Sequence, residues 1–354
     1  NRCGCLDNVD CPSLVCSNDN SQTCVSASEI IYVGGAEADD SSPTCGEEPG
    51  MPCATIARGL ERASEGVGAP VIYLADGEYT EEVTITQSVR IVGQSRDGVI
   101  ISPGAVTTAG VTVNTAAIDV FLETLTIDGV EGGSGVFCTQ GALTLEQTQI
   151  RNGSGIGGEA SATCTLRIMR SLIQKNALGG LSIRSSSPFS LINNIIHMNG
   201  TSGSGGSEVG GLLFLAAASG SMHFNTIVDN TLSVPTGRGA RCNTDKPGVI
   251  NASHNLVQGS SNADLDQLAG VGCAWTYSAV GTPDIEGVPD GNNIDADCMP
   301  NPAMNGQLPA ESPCIDGGAA ASPAVDPPVD IDILGNPRPS GSNYDIGVFE
   351  AQRE

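Results

Sequence analysis

One repeated polar pattern limits the folds open to this chain more than any other feature. The segment Ser171–Asn176 aligns with one earlier and three later segments, whose first residues fall 24, 23, 31 and 30 residues apart. The first column of the alignment contains Gln147, Ser171, Asn194, Asn225 and Asn255, and the last column contains Asn152, Asn176, Asn199, Asn230 and Ser260. Each coil of a β-solenoid adds a rung of about 4.8 Å, and stacked asparagines satisfy backbone groups at the bends between sheets. The pattern therefore predicts a solenoid with these asparagines as its structural ladder.

Short β-branched runs support the same fold. The runs VIYL, VTI, VRIVG, VTV, LTI and TLRI follow one another from Val71 onward and are separated by Gly, Asn, Ser and Asp. The chain has 46 glycines but only one tryptophan, five tyrosines and six phenylalanines. This composition favours many tight turns around a thin core of Val, Ile and Leu. A globular β-sandwich is the structural alternative. The two longer steps of the repeat come from insertions at 200–208 and 231–239, which are expected to leave the same corner and project side by side.

A single short helix is expected before the repeats. The stretch ATIARGLERASEG begins at Ala54, places Ile56, Leu60 and Ala63 on one helical face, and ends at Gly66. Together with the preceding IYVGG and the following VIYLADGEYTEEVTITQSVRIVG, it resembles the N-terminal cap and first coils of secreted bacterial right-handed parallel β-helix proteins of the pectate-lyase-like kind. The segments SPCIDGG, VDIDILGNPRP and YDIGVFE are similar to the terminal coil of that group.

The resemblance covers about residues 30 to 352 and implies an all-β, right-handed parallel β-helix with an N-terminal capping helix. We expect a cysteine-rich disulfide module at 1–28, an initial strand, loop and capping helix at 29–70, parallel coils at 71–280, and acidic loops with a closing coil at 281–354. The first module resembles small cysteine-rich modules of large secreted bacterial proteins. This fold class includes lyases, glycoside hydrolases, esterases, epimerases, adhesins and phage tailspikes, so it does not select an activity.

The cysteines indicate an oxidising compartment. Thirteen are present, and five lie in the first 24 residues: Cys3, Cys5, Cys11, Cys16 and Cys24. The other eight suggest pairs by proximity: Cys45 with Cys53, Cys138 with Cys164, Cys242 with Cys273, and Cys298 with Cys314. Only three histidines exist and none is near the N-terminal cluster, which disfavours zinc. We therefore expect a secreted or cell-surface protein, and we take the chain, which opens without a signal peptide, as a mature or trimmed form.

Net charge excludes two classes of partner. The chain carries 15 basic and 40 acidic side chains, a formal charge of −25. Such a charge repels phosphate backbones and anionic headgroups, so nucleic acid is not an expected partner. No apolar stretch reaches the roughly 20 residues of a membrane span.

The basic residues are concentrated where a groove is expected. Arg151, Arg167, Arg170, Lys175 and Arg184 fall within 34 residues. A uronate lyase needs a cation for the substrate carboxylate and a base for a proton, so the enzymatic alternative is a polysaccharide lyase or epimerase acting on an anionic glycan. Its candidate catalytic residues are Arg151, Arg170, Lys175 and His197, and Arg184 and Asp229 are candidate ligand-binding residues. The alignment stacks Arg151, Lys175, Met198 and Asp229 in one column. Ordinary solvated cations on an outer sheet face are the competing explanation.

The other combinations of residues that could support catalysis or ligand binding are incomplete. Aspartate clusters on consecutive coils and a Gly-x-Ser-x-Gly elbow are both missing, which argues against glycoside hydrolysis and serine catalysis. Oxygen-rich loops suggest that calcium can bind without being required, and the candidate ligands are Asp290, Asp295, Asp297, Asp330 and Asp332, although neither spacing matches an EF-hand. Trp275 and Tyr277 are a candidate sugar platform, with core packing as the alternative.

The leading interpretation is an extracellular or cell-surface structural or recognition protein without catalysis. Its expected partners are a polysaccharide or further copies of itself, joined end to end or through the odd cysteine.

This odd cysteine yields a direct test. We expect a disulfide-linked species on non-reducing electrophoresis that becomes monomeric on reduction, because thirteen cysteines cannot all pair within one chain. A monomer under both conditions would exclude covalent linkage between chains.

Overall fold

The chain winds through three parallel β-sheets around one main core. The computed structural model describes residues 10–17, 23–65, 71–200, 210–216, 219–231, 238–244, 247–260, 263–267, 272–281, 291–294, 297–301, 306–323 and 329–352. Within them, each coil passes from sheet 1 to sheet 2, then to sheet 3, and returns to sheet 1 one rung further along. Strands of consecutive coils pair in parallel. The predicted all-β parallel β-helix is confirmed.

The strands are described sheet by sheet within these residues. Sheet 1 contains β1 (Ile30–Val33), β2 (Val71–Leu74), β5 (Val89–Gly93), β8 (Asp119–Glu123), β11 (Ala142–Glu146), β14 (Thr165–Met169), β17 (Pro188–Ile192), β20 (Ser219–His223), β23 (Pro247–Ser253) and β26 (Gly272–Thr276). Sheet 2 contains β3 (Gly77–Tyr79), β6 (Val99–Ile101), β9 (Thr126–Asp128), β12 (Gln149–Arg151), β15 (Leu172–Gln174), β18 (Ile195–His197), β21 (Thr226–Val228), β24 (Leu256–Gln258) and β27 (Ala279–Val280). Sheet 3 contains β4 (Val83–Ile85), β7 (Ala109–Val113), β10 (Ser134–Cys138), β13 (Ile156–Ala160), β16 (Gly179–Ile183), β19 (Leu212–Ala216), β22 (Arg238–Thr244) and β25 (Ala263–Gln267). The helices are a 3-10 helix at Ala27–Glu29 and the predicted capping helix α1 (Ile56–Ser64).

In-register pairing stacks like residues inside the coils. Leu145 pairs with Ile168 and Ile168 with Leu191 in sheet 1, and all three side chains are at most 1% exposed. Ile150 pairs with Ile173 in the same way in sheet 2. Because every coil is thin, the core takes mainly branched aliphatic side chains, and Phe189, Phe214 and Trp275 are its large rings in the later coils.

Two buried asparagine ladders line the corners on either side of sheet 2. Asn194, Asn225 and Asn255 lie between sheets 1 and 2, and Asn176, Asn199 and Asn230 lie between sheets 2 and 3. Each side-chain oxygen accepts a backbone N–H from the previous rung, as in Asn194 N to Asn225 Oδ1 at 3.0 Å. Each side-chain amide donates to a carbonyl further back, as in Asn194 Nδ2 to Ile168 O at 2.8 Å. The ladders therefore satisfy main-chain groups that the bends leave unpaired.

The prediction for Asn152 is wrong. Asn152 is exposed, has φ +57°, and donates from Nδ2 to Asp128 Oδ1 at 2.8 Å. The ladder position in its coil belongs to Gly153, whose N–H donates to Asn176 Oδ1, and Thr148 replaces Gln147 in the first column because its N–H donates to Ser171 Oγ. The predicted step of 24 residues is thus 23, and the alignment of this coil shifts by one.

Glycines form a further column at the start of sheet 3. A Cβ added to Gly135, Gly157 or Gly180 would lie 2.3–2.7 Å from the carbonyl oxygen of the equivalent glycine on the next rung. Gly211 repeats this contact with Gly239 O at 2.4 Å. A side chain at these positions would push successive rungs apart, which explains why this column contains only glycine.

The N-terminal end of the solenoid is capped. The α1 helix buries Ile56 and Ala63, and the N–H groups of Ile56 and Ala57 donate to the Glu81 carboxylate at 2.7 and 2.9 Å. The neighbouring loop covers the free edge of β1, since Tyr32 N donates to Gly46 O and Cys53 N to Tyr32 O. These bonds occupy the edge through which end-to-end pairing with another copy would begin.

The cysteine-rich module packs on the outer face of sheet 1 near this end. Val15 contacts a cluster that includes Ile30, Val71 and Val92. The Arg90 guanidinium donates to Cys16 O at 2.6 Å and binds both oxygens of Glu123 at 2.8 and 2.7 Å.

Residues 291–294 continue the ladder corner, with Ile294 bridged in parallel to Ala279, but the described residues of the C-terminal segment, from 306 onward, do not form the expected closing coil. They comprise 306–323 and 329–352 and run back over the outer face of sheet 2. Val348 packs on Leu172 and Ile195, and Ile346 packs with Leu256. The outward apolar side chains of these rungs need burial, which the segment supplies.

Disulfides join the described coils and loops. The bonded pairs are Cys45–Cys53, Cys138–Cys164, Cys242–Cys273 and Cys298–Cys314, together with Cys11–Cys24 in the module. Cys16 is also disulfide-bonded, and Cys3 and Cys5 lie outside the described residues. None of the helices in the described ranges is long and apolar enough to span a membrane.

The ladder makes a stability prediction. Asn199→Ala should lower the free energy of unfolding by about 3 kcal/mol, because the N–H of Asn176 and the carbonyl of Ile173 lose buried partners. Urea unfolding monitored by circular dichroism measures the change. The matched control is Asn152→Gly, which keeps the positive φ outside the ladder and should cost less than about 1 kcal/mol. Equal losses in the two variants would contradict the structural role of the ladder.

Buried histidines make stability depend on pH where the C-terminal segment docks. His254 accepts a hydrogen bond from Ala319 N at 2.9 Å and stacks on Phe224 at 4.6 Å. Burial, with His223 and Arg338 nearby, lowers the pKa of His254 to about 3, and burial lowers that of His223 to about 4. Both folded-state pKa values lie below the unfolded value of about 6.5, so the unfolded chain binds protons first as the pH falls. The stability that neutral histidines contribute is complete above pH 6.5 and is lost progressively towards pH 3.

We therefore expect His254→Asn to have a shallower fall in the urea midpoint between pH 6.5 and 4 than the wild type. One proton changes the free energy of unfolding by about 1.4 kcal/mol per pH unit. The comparison between variants is needed because burial raises the pKa of Asp345 and Glu350, which acts in the opposite sense. Parallel pH profiles would contradict the assignment to His254.

Candidate functional site

A row of outward-facing side chains crosses the middle of sheet 1. Its members occupy successive rungs of the parallel ladder and are half-buried or exposed: Phe121, Thr144, Arg167, Ser190, Ser221 and Asn251. We call this set the outer row. Successive rungs are about 4.8 Å apart, so the row presents one side chain at each such interval. It combines hydroxyl, amide and guanidinium groups with one aromatic ring.

Both terminal segments border the outer row. At one end the next residue in register is Arg90, which is 9% exposed beneath the cysteine-rich module. Alongside its middle, Val329 of the C-terminal segment packs against Ile192, and Met169 lies beside them. A cavity of about 150 Å³ opens there and is lined by Glu146, Met169, Arg170, Ile192, Asn193, Val329 and Ile331. The row is therefore the part of sheet 1 that the described terminal segments leave accessible.

Arg151 lies on the outer face of sheet 2 in an ion pair. Its Nε is 2.8 Å from Asp128 Oδ2 on the preceding rung. In the observed register Arg151 pairs with Gln174, and Gln174 with His197. The predicted stacking of Arg151 on Lys175 is therefore wrong. As with Asn152, the sequence alignment places this coil one residue away from the observed register.

Arg170 lies at the opposite edge of sheet 2, in the bend from sheet 1, with φ +50°. Its guanidinium forms an ion pair with Glu146 on the preceding rung. Both side chains are about three-quarters buried, so the pair adds a charged cross-link between coils.

His197 is buried beside Gln174. The residue is 2% exposed, and its Nε2 is 2.6 Å from Gln174 Oε1. Because that oxygen can only accept, Nε2 carries the proton in the neutral ring. Burial and the charge of Lys175 lower the pKa of His197 to about 4. Lys175 itself is exposed at the corner between sheets 2 and 3, with φ +56°.

The four predicted catalytic residues therefore do not converge in one groove. Arg151 and His197 lie two rungs apart on sheet 2, Lys175 lies at one edge of that sheet, and Arg170 lies at the other edge. The insertions leave the same corner, since Thr231 N donates to Asn199 O beside Gly200. Residues 201–209 and 232–237 themselves lie outside the described part of the chain.

The two predicted charged ligand-binding residues are also apart. Arg184 is exposed at the end of β16, and its Nε donates to Ser182 Oγ at 3.1 Å. Asp229 lies at the sheet 2–3 corner, where burial raises its pKa. It lines a cavity of about 360 Å³ with Gln258, Asp297 and Met299.

The prediction that Trp275 belongs to a sugar-binding platform is wrong. Its side chain points into the core and is 1% exposed, so no sugar can reach it. Tyr277 is half-buried at the next bend and stacks against the His254 ring with centroids 5.6 Å apart. The competing prediction of core packing describes Trp275 correctly.

Three of the five calcium candidates lie within the described residues. Asp290 and Asp295 lie outside the described residues, and Asp297 and Asp330 are exposed. Asp332 is fully buried, and its oxygens accept hydrogen bonds from Leu334 N, Asn336 N, Asn336 Nδ2 and Glu350 N at 2.8–3.1 Å. These donors give Asp332 a structural role in the C-terminal segment. Calcium binding stays a prediction for Asp290, Asp295, Asp297 and Asp330.

Sequence reasoning missed the outer row and a pair of tyrosines, Tyr32 and Tyr73. Alternate residues of TLRI, FSLI and ALTL point outward once they are known to be strands of one sheet, so the row was in principle readable. The accessibility of the row could not be read from the sequence, because the positions of the terminal segments depend on long-range packing.

Comparisons with known proteins agree with this geometry. The family model described as a right handed beta helix region matches residues 72–281. No curated protein matches the chain. The crystal structure of pectate lyase Pel9A is similar over 91% of this chain and 96% of that chain, at 15% identity and a TM-score of 0.55.

Two pectin methylesterase structures are more distant. PemA from Erwinia chrysanthemi covers 73% of this chain and 80% of its own at 12% identity and a TM-score of 0.35. A pectin methylesterase in complex with hexasaccharide VII covers 71% and 78% at 14% identity and a TM-score of 0.33. At such low identity the likeness to the pectate lyase shows the fold alone. Because the family model spans more than half of the 354 residues, this chain belongs to the right-handed β-helix family.

Proposed function

We propose that this protein is an extracellular, non-catalytic β-helix that binds a neutral polysaccharide along the outer row. The observation that carries the proposal is that three arginines of sheets 1 and 2 and of the bend between them are held in ion pairs between rungs. Arg90, Arg151 and Arg170 each form an ion pair with a carboxylate on a neighbouring rung. Charges held in this way link adjacent coils and are less available to a uronate substrate.

The surroundings of His197 support the same conclusion. A catalytic base must come within hydrogen-bonding reach of the proton that it abstracts. The His197 ring is 2% exposed, and its protonated nitrogen is held by Gln174. A lyase using this histidine would first have to expose it.

The outer row has the chemistry that a neutral polymer requires. Thr144, Ser190, Ser221 and Asn251 offer donors and acceptors at regular intervals, and Phe121 offers a ring face. The net charge of −25 opposes an anionic polymer. The disulfides fit an oxidising compartment outside the cytosol.

Affinity electrophoresis tests the proposal. The protein should be retarded in gels containing a neutral polysaccharide such as galactan, xylan or β-glucan, with less retardation by polygalacturonate or alginate. Incubation with the uronate polymers and calcium should produce no rise in the ultraviolet absorbance of unsaturated products. The double variant Thr144→Ala/Asn251→Ala removes two accessible hydrogen-bonding groups and should weaken retention about tenfold.

Lys175→Gln is the matched control, because Lys175 is exposed on a different face. It should leave retention unchanged. The enzymatic alternative makes the opposite prediction, namely product formation that Lys175→Gln abolishes. Product formation, or retention that the outer-row variant does not change, would overturn the proposal.

A further inference from the structure

A second, unassigned cavity lies at the N-terminal end of sheet 1, and its lining residues Tyr32, Tyr73 and Gln94 lie three, two and one rungs before Phe121 of the outer row. Its volume is about 390 Å³, within the range of about 300–1,000 Å³ that small-molecule sites occupy. The residues that define its chemistry are Leu14, Tyr32, Glu37, Pro52, Tyr73 and Gln94. It therefore lies between the cysteine-rich module, β1, β2 and the capping loop.

Register and local backbone geometry create this cavity. Tyr32 and Tyr73 are partners in the β1–β2 pairing, and their ring centroids are 6.0 Å apart at an interplanar angle of 63°. After β1 the chain turns away from the sheet through Gly34 and Gly35, with φ +83° and +96°. The Tyr79 hydroxyl lies at the ends of both strands, 3.2 Å from Val33 O after β1 and 2.7 Å from Ala75 O after β2. The cavity is thus bounded by two paired strands and a hydrogen-bonded turn.

The Tyr32 hydroxyl has an unmet hydrogen-bonding requirement. The residue is 3% exposed, and its oxygen is buried without a hydrogen-bond partner among the described residues. Buried tyrosine hydroxyls usually find a partner, because leaving one unpaired costs stability. A group of this kind in the wall of a cavity is positioned to meet a ligand.

The other lining groups limit what that ligand can be. Leu14, Pro52 and the two tyrosine rings provide apolar contact, and Gln94 accepts from Asp76 N through Oε1, so its amide N–H groups remain as donors. The charged residue in the described lining is Glu37, and it is not accompanied there by Lys or Arg. Burial, with Asp76 and Tyr32 nearby, raises the pKa of Tyr73 to about 12, so this hydroxyl also stays neutral. An anionic ligand would be repelled.

We propose that this cavity binds a neutral sugar residue, whose apolar ring face packs on the tyrosines while a hydroxyl group bonds to the Tyr32 oxygen. Sugars combine an apolar face with closely spaced donors and acceptors, which is the combination that the lining offers. The proposal is independent of the outer row, since the two sites share no residue.

Ligand-observed NMR and calorimetry with simple glycosides test the site. Methyl β-galactopyranoside, methyl β-glucopyranoside and N-acetylglucosamine are the neutral probes, and galacturonate is the anionic probe. At least one neutral probe should bind in the millimolar range or tighter, and galacturonate should bind more weakly. Tyr32→Phe removes only the unpaired hydroxyl and should weaken binding by about two- to tenfold.

The same variant should keep or raise the urea midpoint, because a buried unpaired hydroxyl is removed. This separates loss of binding from loss of folding. A second variant, Ala36→Trp, places a large ring at an exposed position of the lining and should abolish binding. The control is Thr144→Ala/Asn251→Ala, which should bind the glycosides like the wild type.

Three results would overturn the inference: no neutral probe binds, galacturonate binds as tightly as the neutral probes, or Tyr32→Phe binds with wild-type affinity. Loss of polysaccharide retention in the outer-row variant, with glycoside binding intact, would concern only the proposed function. Failure of one proposal is therefore distinguishable from failure of the other.

Discussion

The hydrogen bonds from each corner asparagine to the neighbouring rungs are the interaction on which the rest of this structure depends. A solenoid bends sharply at every corner, and each bend takes backbone groups out of the sheet ladders. The corner asparagines supply hydrogen-bond partners for those groups. They are Asn176, Asn199 and Asn230 at one corner and Asn194, Asn225 and Asn255 at the other. With the corners satisfied, successive strands stay in register. In-register strands then stack the aliphatic core inside and place rows of side chains outside.

This stacking also determines which charged side chains form ion pairs between adjacent coils. A side chain on one rung lies beside its equivalent on the next, so an arginine and a carboxylate in adjacent coils meet without any further folding. Arg90 with Glu123 and Arg151 with Asp128 are such pairs. Within the basic stretch of the central coils, Arg151 and Arg170 are held in this way, whereas Lys175 and Arg184 are exposed. The accessible chemistry is displaced to the outer row and to the tyrosine cavity, where hydroxyl and amide groups predominate.

The fold was readable from the sequence because the repeat has a local physical signature. Asparagine spacing, short β-branched runs and α1 each follow from rules that act within one or two coils. The error at Asn152 shows the limit of such rules. In the central coils a residue with positive φ directly precedes each ladder residue, and either position can hold asparagine, so composition alone could not separate them. Gly153 at the ladder position still donates its N–H and therefore continues the ladder without a side chain.

The sequence by itself determined the parallel β-helix, the helical cap and the disulfide pairs within reach of one another, because all of these are encoded in spacing and periodicity. The tertiary structure alone decided which faces are accessible. The cysteine-rich module covers Arg90, the C-terminal segment covers sheet 2, and Trp275 turns inward while Tyr32 faces a cavity. These outcomes depend on contacts between residues far apart in the chain, whose free energy reflects the shape of the whole molecule and leaves no periodic trace in the sequence.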